Sequence, residues 1–292
     1  MQYKNSNKEL SIIIVTFNSE SYIYKCLESV FKSKINHTKT DIFIIDNNSS
    51  DNTTSIVKKI QEKNKNVVLV SNNNNRGFAK AVNQGIKKSI KYKYVLLLNP
   101  DTILEENSIL NLVSCLEENG AGICGGKAVD FHGNIKGSYF RFPNVFVGIF
   151  DFTNIRRLTK NDRWHKYFYY QDTNFIKHCV SVDVVTGGFF LIKQSTIKKV
   201  GLFDESYFMY LEDVDYCKRA HNAGIKTFYA DKSKIIHEGG ASSVNKDRIR
   251  HSSWLLSRKI YFLKHFSLAQ NLIVQPIFLI DDLIISVKLI FQ

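Results

Sequence analysis

Four short, continuously apolar runs, separated by segments of helical period, constrain this chain more than any other feature. The runs are Ile12–Val15, "DIFIID" (41–46), "VVLV" (67–70) and "YVLLL" (94–98). Between them, Tyr22, Ile23, Cys26, Leu27, Val30 and Phe31 recur at spacings of three and four. "TTSIVKKIQEK" (53–63) reads as a second helix, and Phe78, Val82, Ile86 and Ile90 lie four apart in a third. Such spacing gives a helix one apolar face. Strands apolar at every position are buried on both sides. The β-α-β-α-β-α-β order therefore predicts an α/β domain, a mostly parallel sheet with helices on both faces.

The pattern continues with a helix over roughly 105–118 and "GICG" at 122–125. Residues 131–181 are rich in aromatics and cations without a clear period, and predict an irregular insertion bordering the site. Order returns at "VDVVTGGFFLIKQSTIKKVGLFDE", followed by a helix from about Glu212 to Ala223, with Gly224 as its C-cap, and the strand "KTFYA". From Arg250 onward the chain is helical and strongly apolar.

In open α/β sheets, ligands bind beyond the carboxyl ends of the strands. Thr16, Asp46, Asn72 and Asp101 all stand at or just past such ends. In "VLLLNPDT" (95–102) the apolar run stops at Asn-Pro-Asp, which is good turn chemistry and also puts a carboxylate where such a sheet does its chemistry. In "IIDNNSSDNT" (44–53), Asp46 precedes a turn. It either starts an N-capping turn with Ser50 or Asp51 as cap, or accepts the imide N–H of a uracil or thymine ring. Arg76 and Gly77 stand at the entry to a helix, a position that suits a phosphate or base carbonyl as well as an ordinary loop cation.

Composition narrows the classes. With 292 residues, 44% hydrophobic and 13% aromatic, the chain has ample material for a core and is not disordered. A net charge of +13 suits an anionic partner: a nucleotide, a nucleic acid or an anionic membrane. The five cysteines are scattered with no C-x-x-C pair, as expected of small core residues in a reducing compartment. The first apolar stretch (10–17) is too short for a secretory signal, so a cytoplasmic location is expected. Walker A, G-x-G-x-x-G and H-E-x-x-H patterns are absent.

Taken together and in order, "SIIIVTFNS", "IIDNNSSDNT", "NRGFAKAVNQGI", "LLLNPDT", "GGFFLIKQSTIKKVGLFDESYFMYLEDVDYCKRAHNAGIKTFYAD" and "IIHEGGAS" resemble a family 2 glycosyltransferase of the rhamnosyltransferase-like, non-processive branch. The resemblance covers roughly 10–245. It implies a GT-A (Rossmann-like) fold, a nucleotide-sugar donor, a divalent metal and inversion at the anomeric carbon.

Matched residue by residue, "NPD" occupies the family's D-x-D position. Asp101 is then a metal ligand near the donor diphosphate, and Asn99 stands where the family often has Asp. His237 matches a histidine that completes the metal shell in some relatives; oxygen ligands with an imidazole suit Mn²⁺ or Mg²⁺. Asp213 of "LEDVD" matches the base that takes the acceptor proton. Glu212, one residue before it, points about 100° away on a helix. The acids at 212, 213 and 215 could equally complement the positive end of a helix. Gly187 and Gly188 let backbone approach the sugar. The expected donor-binding set is Thr16, Asp46, Arg76, Asn99, Asp101, Gly187 and Gly188. The expected donor is a dTDP- or UDP-sugar, and the acceptor a saccharide or a lipid-linked glycan in cell-surface polysaccharide synthesis. The Q-x-x-R-W motif of processive synthases is missing, so one sugar per encounter is expected.

Two other classes share features with this chain. A nucleotidyltransferase also uses strand-end carboxylates and a metal, but needs a basic triphosphate loop, whereas "TFNSESY" carries no cation before Lys25. A nucleic-acid-binding protein would suit the charge, but no binding motif is present, and nucleic acid is not an expected partner. The predicted division is a GT-A domain over 1–245 and an amphipathic helical region over 246–292. Trp254, Tyr261, Phe262 and Phe266, with Arg258, Lys259, Lys264 and His265, suit the headgroup boundary of an anionic membrane, on its inner face. The same helices could instead pack on the catalytic domain or form a homodimer interface.

Overall fold

The computed structural model describes residues 9–159, 162–173, 178–237 and 247–290. The chain runs β1 (Leu10–Thr16), α1 (Ile23–Lys32), β2 (Thr40–Asp46), α2 (Thr53–Lys63), β3 (Val67–Ser71), α3 (Phe78–Lys88) and β4 (Tyr94–Leu98). These are the four strands and three helices expected from the apolar rhythm. Then come β5 (Thr102–Leu104), α4 (Ser108–Glu118) and β6 (Ile123–Val129). The second half contains β7 (Tyr139–Phe140), α5 (Val145–Phe150), α6 (Ile155–Thr159), α7 (Arg163–Phe168), β8 (Cys179–Val182), β9 (Val184–Val185), β10 (Phe189–Lys193), α8 (Gln194–Val200), α9 (Glu212–Asn222), β11 (Thr227–His237), α10 (Asp247–His265) and α11 (Leu268–Ile290).

The main sheet has the order β3-β2-β1-β4-β10-β6-β11-β5, with β8 added against β11. β1 pairs in parallel with β2 and β4, β2 with β3, and β6 with β11, whereas β10 is antiparallel to both its neighbours. Both faces are buried, and successive residues alternate between them. Ile13, Phe43, Ile45, Val95 and Leu97 join the core that α3 and α9 cover. Ile12, Ile14, Ile42, Ile44, Leu96 and Leu98 join the one that α1 and α4 cover. This double burial is why the strands are continuously apolar.

Two expectations need correction. Residues 131–181 are not irregular: the described part holds β7, three helices and most of β8. The helices are five or six residues long, too short to display a 3.6-residue period. The set of lipid-facing residues expected in the C-terminal helices is also overturned. Tyr261 and Phe262 are buried in the same core as α3 and α9. Trp254 packs edge-on to Phe152 and Tyr210. Lys264 and His265 reach the buried carboxylate of Asp215 on α9, at 2.8 and 2.7 Å. Arg258 is fully buried, donates to Asp281 at 2.7 Å and Asp282, and also bonds the backbone oxygens of Phe152 and Phe278. Lys259 pairs with Asp282 at 2.6 Å. The cations and rings that suggested a headgroup boundary build the junction between the α10–α11 hairpin and the rest of the protein. The expected boundary at 245/246 and the "EGGAS" part of "IIHEGGAS" lie outside the described residues.

Because removing one partner leaves buried carboxylates uncompensated, Arg258→Ala should cost about 3–5 kcal/mol. A urea midpoint at the wild-type value would contradict this packing.

Candidate active site

The cleft lies at the carboxyl ends of β1 and β4 and the start of β10, with a volume of about 420 Å³. Strand ends and the turns that leave them build its reactive side. β4 ends at Leu98, and the Asn99–Asp101 turn feeds β5. β5 runs antiparallel to β11 in a register that sets Thr102 opposite His237. That register brings the imidazole of His237 to Asp101, Nε2 to Oδ1 at 3.2 Å. From the other side, Gly188 accepts the backbone N–H of Asn99 at 2.9 Å. A Cβ at Gly188 would sit 2.9 Å from the side-chain Nδ2 of Asn99, so a larger residue there would have to push that side chain aside.

α9 brings the acids. Tyr210 and Leu211, just before it, have φ of 75° and 63°, a left-handed pair that non-glycine residues seldom adopt and that concentrates at functional sites. The turn delivers Glu212 and Asp213 to the cleft together, despite their angular separation on a helix. Asp213 Oδ2 accepts the Gly187 N–H and Oδ1 accepts the Val214 N–H, both at 2.8 Å. Burial holds the Asp213 carboxyl above the usual carboxylate range, against the pull of those two bonds. Glu212 is 6% exposed, and its Oε2 has no hydrogen-bond partner among the described residues. Burial first, and the neighbouring Asp213 charge second, push its carboxyl well upward. Asp215 does not belong to the site: it is clamped by Arg219, Lys264 and His265.

The structure places the expected catalytic, metal-binding and donor-binding residues unequally. Asn99, Asp101, Gly187, Gly188, Glu212, Asp213 and His237 all line the cleft. Thr16 and Asp46 are buried and absent from its lining. Thr16 donates to Asp46 Oδ1 at 2.8 Å, and Asp46 also accepts from the Ser49 N–H at 2.9 Å and the Ser49 hydroxyl at 2.5 Å. Neither Ser50 nor Asp51 is the N-cap residue of α2; that position is Asn52, without a side-chain cap bond. Arg76 is exposed and outside the lining. The wall at that end is Asn47, Asn75, Gly77 and Phe78. Gly77, at φ 84°, has Phe208 O 2.6 Å from where a Cβ would sit, so no side chain fits there. Asn47 donates to Gly77 O at 3.1 Å. Sequence reasoning missed Asn47, Phe208, Tyr210, Ile249 and Arg250. Asn47 carried a signal, as the residue next to a strand-end carboxylate; Arg250, arriving on a helix remote in sequence, carried none.

Asp101 and His237 fit a divalent cation, since they present one carboxylate oxygen and one imidazole nitrogen 3.2 Å apart on the cleft wall. Among the described residues no group of three or more His, Cys, Asp or Glu side chains could hold a metal ion, so the remaining positions would fall to ligand oxygens and water.

Residues 11–201 match the sequence profile of glycosyl transferase family 2. The chain belongs to that family. It is 30% identical over 145 residues to the rhamnosyltransferase WbbL of Escherichia coli K12, covering 49% of this chain and 52% of that protein. It is 37% identical over 67 residues to the N-acetylglucosaminyl-diphospho-decaprenol L-rhamnosyltransferase of Mycobacterium tuberculosis, covering 23% and 22%. The matches thus span about half or less of these relatives' length. Among solved structures, the fold resembles GalNAc-T7 with UDP, GalNAc and Mn²⁺ (TM-score 0.60, 17% identity, 79% of this chain and 44% of that one). It also resembles the mannosyltransferase PcManGT of Pyrobaculum calidifontis with GDP-Man and Mn²⁺ (TM-score 0.59, 14% identity, 92% and 68%). The fold of this family 2 member is GT-A, as the sequence resemblance implied.

The raised Glu212 carboxyl makes a signed prediction. A group whose folded pKa is raised contributes stability in full below its unfolded value, about 4.3, and loses it as pH rises through the folded value. Glu212→Gln resembles the protonated side chain at every pH. Its melting temperature should therefore gain on wild type as pH increases from about 5 to about 8. A pH-independent difference between the two melts would contradict the environment described.

Proposed function

We propose that this protein transfers one sugar from a nucleotide-diphosphate donor to an acceptor hydroxyl, with inversion at the anomeric carbon. The observation that carries the reading is the meeting, in one cleft, of the Asp101–His237 pair with Asp213, held there by the Gly187 N–H. In this reading Asp213 accepts the acceptor proton as the acceptor oxygen bonds the anomeric carbon. The bond from that carbon to the diphosphate oxygen breaks on the opposite face, and the electron pair leaves with the nucleoside diphosphate. Both Asp213 oxygens already accept a backbone N–H, which fixes the carboxylate for that proton, and its raised basicity suits a base.

A divalent cation such as Mn²⁺ or Mg²⁺, held by Asp101 and His237, would supply charge neutralisation to the leaving diphosphate. Glu212 in its protonated form is a buried donor without a partner among the described residues, suited to a sugar hydroxyl. The nucleoside is proposed to lie toward Asn47, Asn75 and Gly77. Asp46 braces the turn beneath it and Arg76 stands at its outer edge. Rhamnose, carried as a dTDP-sugar, is the sugar that the two relatives' names favour; UDP occurs with GalNAc-T7. The name of the mycobacterial relative supports a lipid-linked glycan as the acceptor.

Incubation with dTDP-rhamnose and UDP-sugars, a lipid-linked saccharide and Mn²⁺ should release nucleoside diphosphate. Release of pyrophosphate from a nucleoside triphosphate would indicate nucleotidyl transfer instead. Asp213→Asn should lower turnover about 10²-fold or more while donor affinity stays near wild type. Asp101→Ala should abolish Mn²⁺-dependent transfer and leave the melting temperature close to wild type. Normal turnover in Asp213→Asn, or a wild type indifferent to EDTA, contradicts the assignment.

A further inference from the structure

Leu268–Ser286 of α11 is long and apolar enough to cross a membrane by length and composition, yet the hairpin junction pins one side of it to the protein. Asn271, Val274, Phe278 and Asp281 are buried. The opposite side carries Leu268, Leu272, Ile273, Leu279, Ile280 and Leu283, each between 54% and 78% exposed. From Leu268 to Leu283 this stripe is about 22 Å long. The only charged residues of that stretch, Asp281 and Asp282, both bond Arg258 on the inner side. Scattered exposed leucines are ordinary on a protein surface, whereas a contiguous uncharged stripe of this kind marks something that covers it.

A cation stands at one edge. Asn154 donates its backbone N–H and its amide to Asp281 at 2.9 and 3.0 Å, which sets α6 beside the C-terminal half of α11. α6 then presents Arg157, which is exposed, and Leu158, 81% exposed. Arg157 lines a cavity of about 770 Å³ together with His251 and Trp254 of α10 and Ile285 of α11.

We propose that the outer side of α11, with Arg157 and Leu158 at its edge, lies on the surface of an anionic bilayer. An apolar stripe with cations at its rim is the pattern of an interfacial helix, its apolar side at the acyl boundary and its cations among anionic headgroups. A second copy of this chain fits less well: each carries +13, and pairing through this face would bring the same basic edges together. The helix lies flat, because the Arg258–Asp281–Asp282 contacts hold its inner side against the protein. Ile249 and Arg250, at the start of α10, line the cleft, so the docked hairpin also borders the active site. Presentation of a lipid-linked acceptor there rests on the transferase reading; the docking itself does not.

Flotation of the full chain with phosphatidylglycerol–phosphatidylcholine vesicles tests this. Wild type should float with them. Leu272→Gln/Ile280→Gln/Leu283→Gln, all at exposed positions, should stay behind while melting like wild type. Arg157→Glu should lower partitioning into the anionic vesicles on the order of tenfold and leave partitioning into pure phosphatidylcholine unchanged. The proposal is overturned if wild type ignores the vesicles or the triple variant floats as well as wild type. It is likewise overturned if Arg157→Glu partitions unchanged. A wild-type dimer in sedimentation that the three substitutions dissociate would assign the face to a second copy.

Discussion

The antiparallel placement of β10 beside β4 is the arrangement on which the cleft depends. Leu98, the last residue of β4, pairs with Phe189, the first of β10. The chain leaving one strand therefore meets the chain entering the other. From that meeting follow the Asn99 N–H bond to Gly188 O, the position of Gly187, and through its N–H the position of Asp213. A parallel β10 would deliver its first residues to the amino end of β4, away from the cleft. The cleft would then have Asp101 without Asp213.

That reversal was not legible in the chain. "FFLI" is apolar at every position, which announces burial on both faces but carries no sign of direction. β1 to β4 and their helices were legible, because each strand is long enough to show burial and each helix long enough to show its period. β5 was not: three residues after a proline turn look like the turn itself, although they set the register that brings His237 to Asp101. The cleft residues that could be named in advance, Asn99, Asp101, Gly187, Gly188, Glu212, Asp213 and His237, sit in local motifs. Arg250 and Ile249 are assembled by the tertiary fold alone.

The C-terminal helices show the limit of reading side-chain type without knowing which way a residue faces. Their rings and cations suggested a lipid boundary, yet Phe262 and Arg258 are buried. Phe262 lies where Gly148 of α5 leaves room: a Cβ there would be 2.4 Å from the ring. Asn271 donates to the carbonyl oxygens of Phe262, Phe266 and Ser267 at 3.0, 3.0 and 3.2 Å, closing the end of α10. The polar groups are drawn inward to satisfy one another and the helix end. The aliphatic residues left outside are the ones available to a bilayer. The same clamp reaches α9 through His265 and Asp215, so one hairpin supports the helix that begins with Glu212 and Asp213.

The central claim is that the transfer site is the cleft between the Asp101–His237 pair and Asp213. Anomalous diffraction at the manganese edge, from crystals grown with a nucleoside diphosphate and Mn²⁺, addresses it most directly. The account predicts one manganese peak bonded to both Asp101 and His237, with the diphosphate in the cleft that Asp213 lines. A diphosphate bound elsewhere, or a manganese peak that touches neither residue, would contradict it.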